Sequence, residues 1–129
     1  MFSSCCVTQD SNSETRIYCG SHDRHVYCWN EKFKLEWKSE EFDSEIYSIP
    51  CLSEIRFQTE QGTCQKPVLF ASTTSGCIHI MNPDSGLELG KLSLPWDVFS
   101  SPVIFDNCLA VGCRDDYVYC YNIIEYNQN

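Results

Sequence analysis

The chain has 129 residues, of which 43% are hydrophobic and 21% charged; that is one domain's length with enough apolar material for a core, and it excludes wholesale disorder. Nine Lys and Arg stand against eighteen Asp and Glu, a formal charge of −9, so neither a nucleic-acid backbone nor an anionic membrane surface is expected as a partner through bulk charge. No apolar run approaches the ~20 residues that span a bilayer.

Ten cysteines are many for this length. The N-terminal Met1-Phe2-Ser3-Ser4-Cys5-Cys6 has no basic flank and no long apolar run, so it does not read as a secretory signal. Cys6, Cys19, Cys28, Cys51 and Cys120 sit inside alternating apolar runs, as small core hydrophobes do. The expectation is a cytoplasmic protein with free thiols. No Cys-x-x-Cys pair occurs, which removes the main support for a zinc ribbon or a thioredoxin-like site.

Taken in order, the chain repeats itself. Residues 2–7 mirror 99–104, so the first strand opens in the middle of a unit. Residues 17–30 read as strand, tight turn and strand, and the same pattern returns at 69–82 and 109–122. Val26 aligns with Ile78, 52 residues on, and Ile78 with Val118, 40 further on. Residues 30–37 match 82–89, and Ile46-Tyr47-Ser48-Ile49-Pro50 matches Val98-Phe99-Ser100-Ser101-Pro102, both at the spacing of 52. The 12 extra residues of the longer spacing therefore fall after Pro50, in the polar stretch 54–66, which is expected to be a loop insertion. The period inside each unit is two, with β-branched and aromatic residues bounded by Gly, Ser and Asp, which predicts strands throughout and no helix. Units of about 40 residues built from short strands suggest the blades of a β-propeller. The expected fold is all-β, an open propeller of about two and a half four-stranded blades: a partial unit 1–38, a unit 39–91 and a partial unit 92–129.

The residues also carry a resemblance. Ser101-Pro102-Val103 followed by Val111-Gly112-Cys113-Arg114-Asp115-Asp116-Tyr117-Val118-Tyr119 resembles the quinoprotein-type (pyrroloquinoline-quinone-like) propeller repeat, and Asn82-Pro83-Asp84-Ser85-Gly86 resembles its following turn. Trp37 stands where such repeats carry the tryptophan that docks one blade onto the next; the second copy has Leu89-Gly90 there. Residues 20–28 and 112–120 further resemble the C-terminal region of the β-alanine-activating enzyme family, adenylate-forming enzymes with a phosphopantetheine carrier domain. The resemblance implies a non-catalytic structural or interaction module whose partners are the missing propeller blades and the adenylation and carrier domains, and which self-associates when alone. Acid or amino-acid activation would belong to those other domains, since no ATP-phosphate loop and no carrier serine motif is found in these residues.

Several features invite sharper readings. Adjacent Cys5-Cys6 suggests the neighbouring-cysteine disulfide on which some quinone cofactors stack, but the alignment puts Cys6 at a strand position equivalent to Val103, and a quinone site needs ligands from many blades. No quinone, metal or other cofactor is therefore expected, and no catalytic residue. His22 and His25 flank Asp23 in a turn, with His79 one repeat away; they are expected to be structural or solvent-facing turn residues rather than ligands. Asp23 and Asp115 occupy equivalent turn positions, where a carboxylate accepts backbone N–H groups. Gly20 and Gly112 precede these turns, where close strand approach favours a missing side chain, and Gly76 is expected to supply a positive φ. The acidic run Glu36, Glu40, Glu41, Asp43 and Glu45 is expected to be a solvated connecting loop. Gly20, Asp23, Trp37, Gly86, Pro102, Gly112 and Asp115 are the expected architectural residues. The alternatives are a quinone-dependent oxidoreductase fragment and a WD-repeat-like adaptor, the latter supported only by Trp96-Asp97.

Overall fold

The computed structural model describes residues 2–9, 14–98 and 100–123. Eleven strands and no helix occur among them. Consecutive strands pair antiparallel into three sheets. The first holds β1 (Phe2–Gln9), β2 (Thr15–Ser21), β3 (Val26–Asn30) and β4 (Leu35–Lys38). The second holds β5 (Cys51–Thr59), β6 (Gly62–Ser72), β7 (Cys77–Met81) and β8 (Glu88–Ser93). The third has β9 (Val103–Phe105), β10 (Cys108–Gly112) and β11 (Val118–Asn122). None of the sheets closes on itself. The three Asn-terminated runs found in the sequence are the β2–β3, β6–β7 and β10–β11 hairpins.

Side chains alternate across a strand, so each strand has two faces to satisfy. Tyr18, Val26, Cys28 and Trp37 of the first sheet meet Leu69, Ala71 and Met81 of the second in one buried cluster. Val68, Phe70 and Ile78, on the opposite face of the second sheet, meet Leu109 and Val111 of the third in another. The second sheet is thus a middle layer covered on both sides, and β6 and β7 read as near-continuous apolar runs for that reason. The segments between sheets repeat their backbone bonds: Phe42 N–H donates to Arg24 O at 2.7 Å and Leu94 N–H to Gly76 O at 2.7 Å, the same contact one unit later.

Two expectations are corrected. The stretch 54–66 is a paired hairpin, not a loop: β5 and β6 stay in register from Cys51 opposite Phe70 to Thr59 opposite Gly62. Ile55-Arg56-Phe57-Gln58-Thr59 alternates apolar and polar as a strand does, Ile55 is buried, and the insertion lengthens two strands around the turn at Gly62, whose φ is +116°. The cysteines are not all free either. Cys5 and Cys19 lie directly opposite in the β1–β2 ladder with Cα atoms 4.5 Å apart and form a disulfide. Equivalent positions along the repeat lie in different sheets, so comparing them misses a bridge between neighbouring strands of one sheet. Cys6 points to the other face and remains a free thiol, so Cys5 and Cys6 do not bridge to each other.

Eight thiols should therefore titrate in denaturant before reduction and ten after it. A Cys19→Ser chain should give nine in both conditions, because Cys5 is then freed; ten thiols before reduction in the unsubstituted chain would contradict the Cys5–Cys19 pairing.

Candidate functional site

The residues singled out from the sequence fall into two places: the junction between the first and second sheets, and the turns of the hairpins. At the junction, Trp37 projects from β4 and is buried against the turn 82–86 of the second sheet, where its indole Nε1–H donates to Pro83 O at 2.9 Å. Gly86 closes that turn with φ +75°, and a Cβ there would stand 2.8 Å from ring carbons of Trp37. Glycine is needed at this position on both counts, for a left-handed backbone and for a ring lying flat against it. Asn82 Oδ1 accepts Asp84 N–H at 2.8 Å and Gly86 N–H donates to Asn82 O at 2.8 Å, which folds the turn that receives the indole. Arg16 of β2 spans the same junction by pairing with Asp84, while its Nε lies 3.3 Å from Glu36.

The turns repeat one device. His25 N–H donates to Asp23 Oδ1 at 3.1 Å and Tyr27 O–H to the other carboxylate oxygen. Tyr117 N–H donates to Asp115 Oδ1 at 3.1 Å and Tyr119 O–H to its partner oxygen. The residues after these aspartates, Arg24 and Asp116, have φ of +74° and +70°. Slight burial opposes ionisation of Asp23 and Asp115, but the phenol and amide donors outweigh it and hold both carboxyls below the usual range. Conversely, the carboxylate acceptors push the Tyr27 and Tyr119 phenols up to about 12.

Gly112 is not held by close approach: the nearest atom to a Cβ there is Ser100 Oγ at 3.5 Å, an ordinary contact, and Ser72 fills the equivalent place in the second copy. Ser100 Oγ instead bridges the Gly112 amide and carbonyl at 3.1 and 2.9 Å. Gly20 is buried within β2 opposite Val26. Gly76 does carry a positive φ, +93°. Pro102 is buried just before β9, as Pro50 is before β5.

The second copy departs from the device. Ser75 stands where the other copies have Asp, and His79 where they have Tyr. His79 is on β7 and 6% exposed, because the β7 face that carries it is covered by the connecting segment 39–50. That segment is the connecting loop expected, with Glu40, Glu41 and Asp43 exposed, but it is not solvated throughout. Phe42 and Ile46 are buried, the Phe42 ring stacks on the His79 imidazole with centroids 3.9 Å apart, and Asp43 takes hydrogen bonds from Thr73 Oγ1 at 3.3 Å and from Ser75. Phe42, Asp43, Ser75, Cys77, His79 and Glu88 line a cleft of about 600 Å³. His79 Nδ1 pairs with Glu88, while Nε2 is buried, has no hydrogen-bond partner among the described residues and lies 3.6 Å from Asp43 Oδ1. Burial pushes the Cys77 thiol up, and Asp43 adds to the effect. Burial also opposes ionisation of Asp43, but the Ser75 hydroxyl and the neighbouring imidazole hold its carboxyl below the usual range. One donor atom each from Asp43, Cys77 and His79 lie within 4.8 Å of one another. The sequence signal that would have found the pair is Cys77-Ile78-His79, since residues two apart on a strand share a face.

The chain is similar to β-alanine-activating enzymes over most of its length. The relative from Homo sapiens is 40% identical over 118 residues, covering 92% of this chain and 10% of that protein. Those from Mus musculus and Danio rerio are 33% and 35% identical, covering 92% and 83% of this chain and 10% and 9% of theirs. All three are named Beta-alanine-activating enzyme, and the chain spans about a tenth of the length of each. No protein-family model matches. Among solved structures, the computationally designed Ika8 and Ika4 proteins align at 14% identity with a TM-score of 0.43, over 91% and 94% of this chain and 45% and 92% of theirs, a likeness from which nothing is drawn. No helix among the described residues is long and apolar enough to cross a membrane.

Two outcomes test this geometry. Trp37→Ala should cost ~3–5 kcal/mol in denaturant unfolding, and Gly86→Ala ~1–3 kcal/mol because the Cβ meets the ring at a strained φ; costs under ~0.5 kcal/mol for both would show that the junction does not depend on this contact. In an ultraviolet pH titration, Tyr27 and Tyr119 should ionise late, and Tyr27→Phe and Tyr119→Phe should each remove one late step. Both phenols have folded values above the unfolded value of ~10, so their stabilisation is full below about pH 10 and is lost as pH rises towards 12.

Proposed function

We propose that this chain is a non-catalytic segment of a β-propeller, three successive blades that act as a structural and interaction module in a protein of the β-alanine-activating kind. The supporting observation is a single repeat position. Val26 and Ile78 are 0% exposed because each faces the next sheet, whereas Val118, their equivalent in the third sheet, is 71% exposed. Val103 and Phe105 are also exposed in that sheet, at 61% and 80%. A face whose counterparts are core twice over is the face that a further blade of the same kind covers. Relatives about ten times longer than this chain are in keeping with that reading. In such a protein the adenylation and carrier domains carry out acid or amino-acid activation, and this segment supplies surface and rigidity.

The quinone-dependent reading loses its tempting feature, since Cys5 pairs with Cys19 rather than with Cys6. Titration with the quinone and calcium should give no saturable change in absorbance; a saturable calcium-dependent change would favour the oxidoreductase reading instead. For the blade itself, the 129-residue chain should associate in light scattering. A chain extended at its C-terminal end by one further repeat unit of ~40 residues should be more monomeric and melt higher. A monomeric chain with a cooperative melt above ~60 °C, unchanged by the extension, would overturn the open-face reading.

A further inference from the structure

We propose that Asp43, Cys77 and His79 form a zinc site at the junction of the first and second sheets. Cys77 and His79 lie two apart on β7, so both side chains leave the same face, and the connecting segment brings Asp43 across to them. The donors are one thiol, one imidazole and one carboxylate, the mixed set that zinc takes and that calcium or magnesium, which prefer all-oxygen shells, do not. The observation that points to a ligand is independent of the clustering. His79 Nε2 is buried among the described residues without a hydrogen-bond partner, on a side chain only 7% exposed, and it lies 3.6 Å from Asp43 Oδ1. An imidazole nitrogen in that position is left unsatisfied unless something binds it.

The other nitrogen is already prepared. Glu88 holds His79 Nδ1, the outer carboxylate that fixes the ring orientation and tautomer of zinc-binding histidines. The stacked Phe42 ring fixes the plane of the imidazole. Tetrahedral zinc, with bonds of ~2.0–2.3 Å, sets neighbouring donors ~3.5 Å apart. His79 Nε2 and Asp43 Oδ1 are already 3.6 Å apart, and the Asp43 side chain is 53% exposed and can turn to complete the set. Three protein ligands beside a cleft leave the fourth position to water or to a small external ligand. The site also sits where the repeat changes. Copies one and three use an Asp–Tyr hydrogen bond at this position, and the second copy alone replaces both residues, with Ser75 and His79.

Equilibrium dialysis of the full chain under anaerobic conditions should find one tightly bound zinc. Cobalt(II) in its place should show a thiolate-to-metal charge-transfer band and the strong visible bands of tetrahedral coordination. Cys77→Ser should abolish the charge-transfer band. Glu88→Gln should weaken zinc binding ~10–100-fold, and His79→Tyr, which restores the residue of the other two copies and so keeps the fold, should weaken it at least as much. Cys120→Ser, an exposed thiol on the third sheet, should change nothing. No zinc on a chain with intact β-sheet circular dichroism, or binding equally tight in Cys77→Ser and His79→Tyr, would overturn the assignment.

Discussion

The second sheet has no free face over its central strands, and most of the structure follows from that constraint. Leu69 and Ala71 are buried towards the first sheet, Val68 and Phe70 towards the third. A sheet in this situation cannot alternate polar with apolar; it needs two cores, one on each side, and neither forms without a neighbouring sheet to close it. The outer sheets each complete one core, and β11 alternates half-buried with exposed side chains, leaving Val118, Cys120 and Asn122 exposed. Burying a Leu- or Phe-sized side chain contributes ~1.5–3 kcal/mol, so the stacking of three layers outweighs any single turn or ion pair.

Polar groups then set how the layers meet. Ser48 Oγ donates to Ser72 O at 3.1 Å and Ser72 Oγ to Ser100 O at 3.0 Å, a hydrogen-bonded chain that runs through the middle layer from one connecting segment to the next. Ile49 N–H donates to Ser101 Oγ at 2.8 Å, joining the two connecting segments directly. Arg16 reaches Asp84 across the first junction, and Arg56 reaches Asp106 across the second. These exposed pairs add little stability individually, but together with Trp37 on its turn they fix the angle and slide between layers whose apolar contacts are not directional.

The sequence was most legible where the physics was periodic. Alternation marked β3, β7 and β11, and the spacings of 52 and 40 placed the connecting segments, whose backbone bonds repeat at the same spacing. It was least legible where pairing runs across the chain. Polarity made 54–66 look like a loop, although polar residues such as Glu54 and Thr63 pair in the ladder as readily as apolar ones. Cys5 and Cys19 are brought together by the register of β1 against β2, which no along-chain comparison reveals. Glu40, Glu41 and Asp43 of the acidic run are exposed as expected, but Phe42 and Ile46 among them are buried and decide where the segment lies. The cleft at His79 was hidden for the same reason. Cys77 and His79 were visible as a same-face pair, but Asp43 and Glu88 reach them only through tertiary packing.

The middle layer also bears on how accurately the chain can fold. Leu69 and Phe70 are one peptide bond apart and serve different cores. Sliding β6 by one residue against its partners would send every side chain to the wrong side. In an outer sheet such a slip spoils one core and exposes one set of apolar groups. In the middle sheet it exchanges the contents of two cores whose shapes differ, one lined by Trp37 and Met81, the other by Ile78 and Val98. The wrong register is therefore rejected twice, so the layer with the longest strands, where a slip has the most positions to choose from, is also the one in which slipping is most strongly disfavoured.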